Sequence, residues 1–213
     1  MTYQAFFFDF DGVLADSVKV KTEVFATLFE SYGPDIQAKV VDHHYKNGGM
    51  TRRDKFRHYY SEFLKKPLDN MEMERLCRAF SSLVVDEVIR SPEIPGAQDF
   101  LDNWHKEVPC FIVSATPDDE ISLIVKRRGL EKYFREVLGS SRSKKKNLEY
   151  VFSKYKFVPE RCIFFGDAES DYRVAMDFNV GFIGIVPGPD APLLRVAPSI
   201  RWAENFIDLK IGK

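Results

Sequence analysis

Short apolar runs alternate with amphipathic stretches along most of this chain of 213 residues. The runs are typical of buried strands, and they cover residues 5–8, 108–113, 137–138, 162–165 and 181–186. Between several of them, apolar residues recur at the three- and four-residue spacing of a helix. Because strands that alternate with helices form parallel sheets covered by helices, the pattern predicts an α/β fold. We expect a Rossmann-like three-layer core with a mostly parallel sheet.

Residues 17–90 break this alternation. Their apolar positions form stripes with helical spacing, at 24–29, 56–64 and 73–84, and no strand-like run lies between them. The segment follows the first strand and ends at a proline-rich junction, residues 91–96. We therefore expect residues 1–16 and 91–213 to form the core, and residues 17–90 to form an inserted α-helical cap domain over the carboxyl edge of the sheet.

Composition and charge narrow the class of protein. Thirty-one basic residues nearly balance 32 acidic ones, so no overall field attracts nucleic acid or an anionic membrane. No apolar run approaches the ~20 residues of a membrane span, and the first strand begins too close to Met1 for a signal peptide. The cysteines are widely spaced in apolar surroundings, which indicates buried thiols in a reducing compartment: Cys77, Cys110 and Cys162. We expect a cytoplasmic protein, and the oligomeric state stays open.

Acidic residues follow two of the predicted strands. Asp9 and Asp11 come directly after the first, and residues two apart on an extended chain point to the same side. Gly166, Asp167 and Asp171 follow the run 162–165. Carboxylates that share one sheet edge repel one another unless a cation is present, and Mg²⁺ prefers hard oxygen ligands. The alternatives are an acidic turn after the first strand and an acidic helix start at Asp171.

Two further segments can bind an anion. Ser114 directly follows the run 108–113. We expect Thr116 to cap the next helix, whose free N–H groups can hold phosphate oxygens. Ser143 precedes three lysines in the first turn of another helix, where cations oppose the helix dipole. That cost indicates that one lysine neutralises a bound phosphate. An ordinary helix cap and solvated surface lysines are the alternatives.

Together these segments resemble the four ordered motifs of the haloacid dehalogenase superfamily, and the resemblance covers nearly the whole chain. The insertion is similar to the helical cap of the phosphoglycolate phosphatase and β-phosphoglucomutase group. The resemblance implies a Mg²⁺-dependent phosphatase that hydrolyses a small anionic phosphate monoester, a phosphorylated metabolite, through an aspartyl-phosphate intermediate. The alternatives are a sugar phosphomutase and a non-catalytic phosphate-binding protein, although binding alone needs no proton donor such as Asp11.

The resemblance also implies individual roles. Asp9 is the nucleophile, and Asp11 is the proton donor and then the base, with a pKa nearer the working pH than that of Asp9. Lys145 aligns best with the lysine of the family, and Lys144 is the close alternative. The residues implied are, as catalytic groups, Asp9, Asp11, Ser114 and Lys145; as metal ligands, Asp9, Asp11, Asp167 and Asp171; and as substrate-binding groups, Gly49, Arg52, Ala115 and Lys144.

The substrate-binding candidates include a loop of the insertion. Gly49-x-Thr51-Arg52 resembles the Gly-x-Ser-Arg specificity loop of the β-phosphoglucomutase group, and a guanidinium suits an anionic group. A solvated helix start is the alternative for Arg52.

Three other residues of the insertion bear on the choice of activity. Lys21 stands where mutases of this group have a histidine, which favours hydrolysis. We expect it on the surface, and contact with the substrate is the alternative. His43 and His44 show no metal-ligand spacing, so we expect loop histidines.

Overall fold

The architecture is that of a computed structural model, which describes residues 2–207 and 209–212. Six strands form one sheet within these residues, in the order β3-β2-β1-β4-β5-β6, and every neighbouring pair is parallel. The strands are β1 (Ala5–Phe8), β2 (Cys110–Val113), β3 (Phe134–Leu138), β4 (Cys162–Gly166), β5 (Gly181–Ile185) and β6 (Arg201–Ala203). The predicted α/β fold with a parallel sheet is confirmed.

Helices lie on both faces of the sheet. The helices of the described residues, including the four of the insertion, are α1 (Val18–Leu28), α2 (Pro34–Lys46), α3 (Arg52–His58), α4 (Asn70–Arg90), α5 (Ala97–Trp104), α6 (Asp118–Arg127), α7 (Lys144–Tyr155), α8 (Glu169–Asp177) and α9 (Pro192–Val196). Alternate residues of β1 enter different apolar clusters: Phe6 and Phe8 pack with α5 and α6, whereas Ala5 and Phe7 pack with α7 and α8. This alternation produces the three layers. None of the described helices combines the length and the apolar character needed to cross a membrane.

The helical insertion, residues 17–90, contains α1 to α4 and a π-helical segment, Tyr59–Leu64. Its interior is aromatic: Phe25 lies 4.4 Å from Phe80 and 5.5 Å from Phe56, measured between ring centroids. These side chains belong to the same apolar cluster as Phe6 and Phe8 of the sheet. The insertion therefore packs directly onto the core, and its helical stripes are where the sequence predicts them.

Some local predictions are wrong. The strand predicted at 137–138 extends from 134 to 138, and the short edge strand β6 has no apolar run that could have revealed it. His43 and His44 lie in α2 rather than in a loop, and His44 is buried. Cys110 and Cys162 are buried thiols, whereas Cys77 is only partly buried.

Candidate active site

The carboxyl ends of β1 and β4 bring three carboxylates together. Asp9 follows β1, and its backbone N–H donates to the carbonyl of Phe165 in β4 at 2.9 Å. The Oδ1 atom of Asp9 accepts a hydrogen bond of 2.7 Å from the N–H of Phe10, which fixes this buried side chain. One carboxylate oxygen from each of Asp9, Asp167 and Asp171 lies within 4.8 Å of the other two. The two acidic motifs therefore meet at one edge of the sheet, as the sequence predicts.

Lys144 is the lysine that faces these carboxylates. Its Nζ atom lies 2.9 Å from Oδ2 of Asp9 and 2.5 Å from Oδ1 of Asp171. Lys145 is exposed and pairs with Asp177 at 3.0 Å, so the assignment to Lys145 is corrected in favour of Lys144. Ser143 caps α7, and successive helical residues point about 100° apart, so only the first of the three lysines is directed inward. Although burial alone would lower it, Asp171 and Asp9 raise the pKa of Lys144 above its ordinary value.

Asp171 is a partner of Lys144 and a helix cap. Its Oδ2 atom accepts a hydrogen bond from the N–H of Ala168 at 3.2 Å, at the start of α8. Burial and the charge of Asp9 raise the pKa of Asp171 to about 6, against the opposing effect of Lys144. A Cβ atom on Gly166 would lie 2.4 Å from that of Asp171, so the strand needs glycine there. These contacts fit the alternative of an acidic helix start better than a metal ligand.

The remaining carboxylates fit a divalent cation. Burial, Asp9 and Asp171 raise the pKa of Asp167 well above its ordinary value, which reflects repulsion among like charges. Hard oxygen donors are the ligands that Mg²⁺ prefers. Gly12 lets its loop approach Asp167: its φ is 77°, and a Cβ atom there would lie 2.6 Å from Oδ2 of Asp167. Asp9 and Asp167 therefore form a site whose chemistry suits Mg²⁺.

The carboxylate of Asp11 is engaged by other partners. It accepts hydrogen bonds from Ser17 Oγ at 2.6 Å and Thr116 Oγ1 at 3.3 Å, and it forms an ion pair with Lys21. Burial raises its pKa, but Lys21 and these hydrogen bonds outweigh that effect and hold the pKa of Asp11 below its ordinary range. The expectation of a pKa nearer the working pH is therefore wrong for this arrangement.

Two expectations for the neighbours of Asp11 are also corrected. Lys21 is largely buried rather than on the surface, and its Nζ atom donates to Thr116 Oγ1 at 2.9 Å. Thr116 does not cap the next helix, because α6 begins at Asp118 after Pro117. Its hydroxyl group instead donates a hydrogen bond to Asp11 and accepts one from Lys21. Ser114 is buried beside it, and its Oγ atom accepts the N–H of Thr116 at 3.1 Å.

Arg52 joins the insertion to the core. Its guanidinium forms two bonds with the carboxylate of Glu120 in α6, of 2.8 and 2.5 Å, and lies 4.6 Å from the ring centroid of Phe80. Ser81 in α4 bonds to both partners. The guanidinium of Arg52, which the sequence predicts to bind substrate, is thus bound to Glu120 of this chain.

Gly49 serves close packing between the same two parts of the chain. A Cβ atom on Gly49 would lie 1.8 Å from Oγ of Ser170 and 3.5 Å from Cβ of Ala168. The loop can approach the start of α8 this closely only because residue 49 is glycine.

The sequence interpretation missed Lys55 and His44. Lys55 Nζ lies 2.7 Å from His44 Nδ1, and both side chains are buried. Burial and the neighbouring Lys21 lower the pKa of Lys55 to about 7, and burial and Lys55 lower that of His44 to about 2. Lys55 lies three residues after Arg52 and four before Tyr59, on one helical face. A lysine on a helical face whose other residues are buried could have indicated from the sequence that Lys55 is a site residue.

A chamber of about 50 Å³ lies over the carboxylates. The core contributes Asp9, Asp11, Asp167, Ala115 and Thr116, and the insertion covers them with a second set: Val18, Lys21, Phe25, His44, Gly48, Met50, Arg52, Lys55 and Phe80. Both the charged strand ends and the cap are therefore needed to build it.

Comparison with known proteins identifies the family. The family model described as haloacid dehalogenase-like hydrolase matches residues 6–185. The chain belongs to this family. The resemblance carried by the four motifs is thereby confirmed, and the protein is a hydrolase by family.

Individual relatives agree with that assignment. The chain is 26% identical over 186 residues to a phosphorylated carbohydrates phosphatase of Thermotoga maritima, covering 83% of this chain and 82% of that one. It is 25% identical over 209 residues to a phosphoglycolate phosphatase of Pseudomonas putida, covering 91% and 74%. The β-phosphoglucomutase of Clostridium difficile superimposes with a TM-score of 0.78 at 19% identity, covering 99% of this chain and 94% of that one. This last likeness shows the fold of the hydrolase family.

The pair formed by Arg52 and Glu120 predicts a measurable contribution to stability. Replacing Glu120 by glutamine leaves a buried guanidinium without its counter-charge, and we expect a loss of about 3 kcal/mol in the free energy of unfolding. Glu74→Gln is the matched control, because the neighbouring pair of Arg53 and Glu74 is exposed, and its loss should stay below about 1 kcal/mol. Urea unfolding measures both, and equal losses would contradict this account of the contact.

Proposed function

We propose that the protein is a Mg²⁺-dependent phosphatase that hydrolyses small phosphate monoesters through a phosphorylated Asp9. The observation that carries the proposal is the setting of Asp9. Its carboxylate is buried, held by the N–H of Phe10 and by Lys144, and placed beside Asp167 at the base of the chamber. Both curated relatives named above are phosphatases of small phosphorylated molecules, which supports the same class of reaction here.

Asp9 performs the first displacement. A carboxylate oxygen of Asp9 attacks phosphorus, an O–P bond forms to Asp9, and the bond from phosphorus to the ester oxygen breaks. Lys144 stabilises the charge on the transferring group, because its ammonium already lies at Asp9 and is anchored by Asp171. Mg²⁺ bound by Asp9, Asp167 and the main-chain carbonyl of Asp11 would supply further neutralisation of that charge.

Asp11 and Lys21 handle the proton. The leaving alkoxide requires one, and Asp11 in its ion pair is ionised, so we assign the proton to the hydrogen-bonded pair with Lys21. In the second step water attacks the phosphorus of the aspartyl-phosphate, and the same pair takes up the proton that the water loses. Inorganic phosphate leaves, and the Asp9 carboxylate is restored.

The insertion acts in this proposal as a cap that opens for the substrate. A chamber of about 50 Å³ holds a few water molecules at most, so a phosphate ester requires the insertion to move away from the core. Closure then excludes water from the charged groups. In this proposal Ala115, which lines the chamber, and the adjacent Ser114 bind the phosphate from the core side.

One prediction of this proposal concerns the nucleophile and the metal. With Mg²⁺, the unaltered protein should release inorganic phosphate from at least one ester in a panel of sugar phosphates, phosphoglycolate and nucleotides. Excess chelator should abolish the release, and Asp9→Asn should lower kcat by about 10³-fold or more, because the amide is not a nucleophile.

The outcomes of this panel separate the candidate activities. Release that persists in Asp9→Asn would exclude Asp9 as the nucleophile. If a bisphosphorylated sugar were converted into its isomer without release of phosphate, the phosphomutase alternative would replace hydrolysis.

Another prediction of the proposal separates two adjacent lysines. Lys144→Met removes the cation that contacts Asp9, and kcat/KM should fall by about 10²- to 10³-fold, the usual loss on removing one charge-stabilising donor. Lys145→Met is the matched control, since Lys145 contacts Asp177 at the surface, and its kcat/KM should stay within about twofold of the unaltered protein. A larger loss from the Lys145 variant would restore the assignment made from the sequence.

A further inference from the structure

Buried cations surround the chamber, and nearly all of them have an acidic partner. Lys21 pairs with Asp11, Arg52 with Glu120, and Lys144 with Asp9 and Asp171. Lys55 differs from these three, because it forms no ion pair within residues 2–207 and 209–212. It is nevertheless the most deeply buried of the four, with 2% of its surface exposed.

The contacts of Lys55 leave its hydrogen-bonding capacity unfilled. The ammonium has three N–H donors. One is directed to Nδ1 of His44 at 2.7 Å, and a second reaches the carbonyl of Gly48 at 3.4 Å, near the limit for a hydrogen bond. The side chain lines the chamber, so the remaining donor is available to whatever enters it.

Burying an ammonium group without a counter-charge costs free energy, and this cost explains the lowered pKa values of Lys55 and His44. Removing an ammonium group from water is repaid only when a counter-charge and hydrogen bonds replace the solvent. The pKa of Lys55 lies near 7 for this reason, and His44 is held neutral beside it so that its ring nitrogen can accept. An anionic group in the chamber would supply the missing counter-charge.

We propose that Lys55 binds a carboxylate in the leaving group of the substrate, so that the preferred substrates are phosphate monoesters of small hydroxy acids. The proposal rests on the phosphatase function proposed above. Lys55 takes the role that the sequence predicts for Arg52, whose guanidinium is neutralised by Glu120. Lys21 and Arg52 also line the chamber, but an acid neutralises each of them. Within the described residues, Lys55 leaves one positive charge there unmatched, and a carboxylate with its single negative charge suits it better than a second phosphate.

The test compares two esters that differ only in this charge, phosphoglycolate and its amide. The unaltered protein should favour the acid in kcat/KM by roughly 10- to 100-fold, the usual value of one hydrogen bond to a charged group. In Lys55→Met the ratio of acid to amide should fall close to one. Lys46→Met is the control, because Lys46 lies in the same insertion but is exposed and paired with Asp42, and it should keep the ratio.

Several outcomes would overturn the proposal. One is an unaltered protein that does not distinguish the acid from the amide, and another is a ratio that survives in Lys55→Met. A clear preference for ethylene glycol bisphosphate over phosphoglycolate would show that the second group is a phosphate instead of a carboxylate. The first comparison needs no variant, so a Lys55 variant that fails to fold does not remove the test.

A binding measurement keeps this proposal separate from the catalytic one. Phosphonopropionate and its amide match the two esters but cannot be hydrolysed, and titration calorimetry gives their Kd values. Selective binding of the acid that is lost in Lys55→Met, without phosphate release from any ester, would refute the phosphatase function and retain the role of Lys55. Phosphate release without selective binding of the acid would refute the role of Lys55 and retain the phosphatase function.

Discussion

Repulsion among carboxylates at one sheet edge is the constraint on which the rest of this structure depends. Asp9, Asp11 and Asp167 follow β1 and β4, Asp171 lies in the first turn of α8, and all four are largely removed from water. Lys144 and Lys21 compensate two of the four charges, and each lysine contacts its acid through an ion pair in the interior. The excess negative charge that remains is what a divalent cation would neutralise. A fold that only needed stability would place apolar residues here.

The rest of the molecule holds this arrangement in position. Alternate phenylalanines of β1 pack into the apolar layers on both faces of the sheet, which fixes the position of Asp9 at the end of the strand. The insertion then supplies Lys21 to Asp11 and covers the chamber, with the contact between Arg52 and Glu120 joining it to α6. In the proposed function, the carboxylates are thus balanced partly by a segment that moves when substrate enters, which links the electrostatics of the site to the opening of the cap.

The sequence predicted the fold and the convergence of Asp9 and Asp167 at one sheet edge, because both rest on strong local patterns. Apolar runs that end in Asp9 and Gly166 can be recognised without tertiary information. What it failed to predict depends on contacts between distant segments. The choice between Lys144 and Lys145 follows from the rotation of α7 relative to β1, and the partner of Arg52 lies 68 residues away in Glu120.

Lys21 shows the same limit. A lysine on the first helix of an insertion reads as a surface residue, and only its contact with Asp11 reveals it as part of the site. Lys55 was missed because nothing in its local sequence shows that each neighbouring cation has an acid, whereas Lys55 has none among the residues that the structure describes. Charge pairing is a property of the assembled interior, and single-sequence patterns do not contain it.

The most direct test of the central claim is to trap the phosphoryl group on Asp9. Substrate labelled in its phosphate should be mixed with the protein, quenched in acid during the first turnover, and the peptides analysed for a phosphorylated residue. The account predicts label on Asp9 that appears before inorganic phosphate and is absent in Asp9→Asn. Steady release of phosphate with no label on the protein at any time would contradict it, because water would then attack the substrate directly.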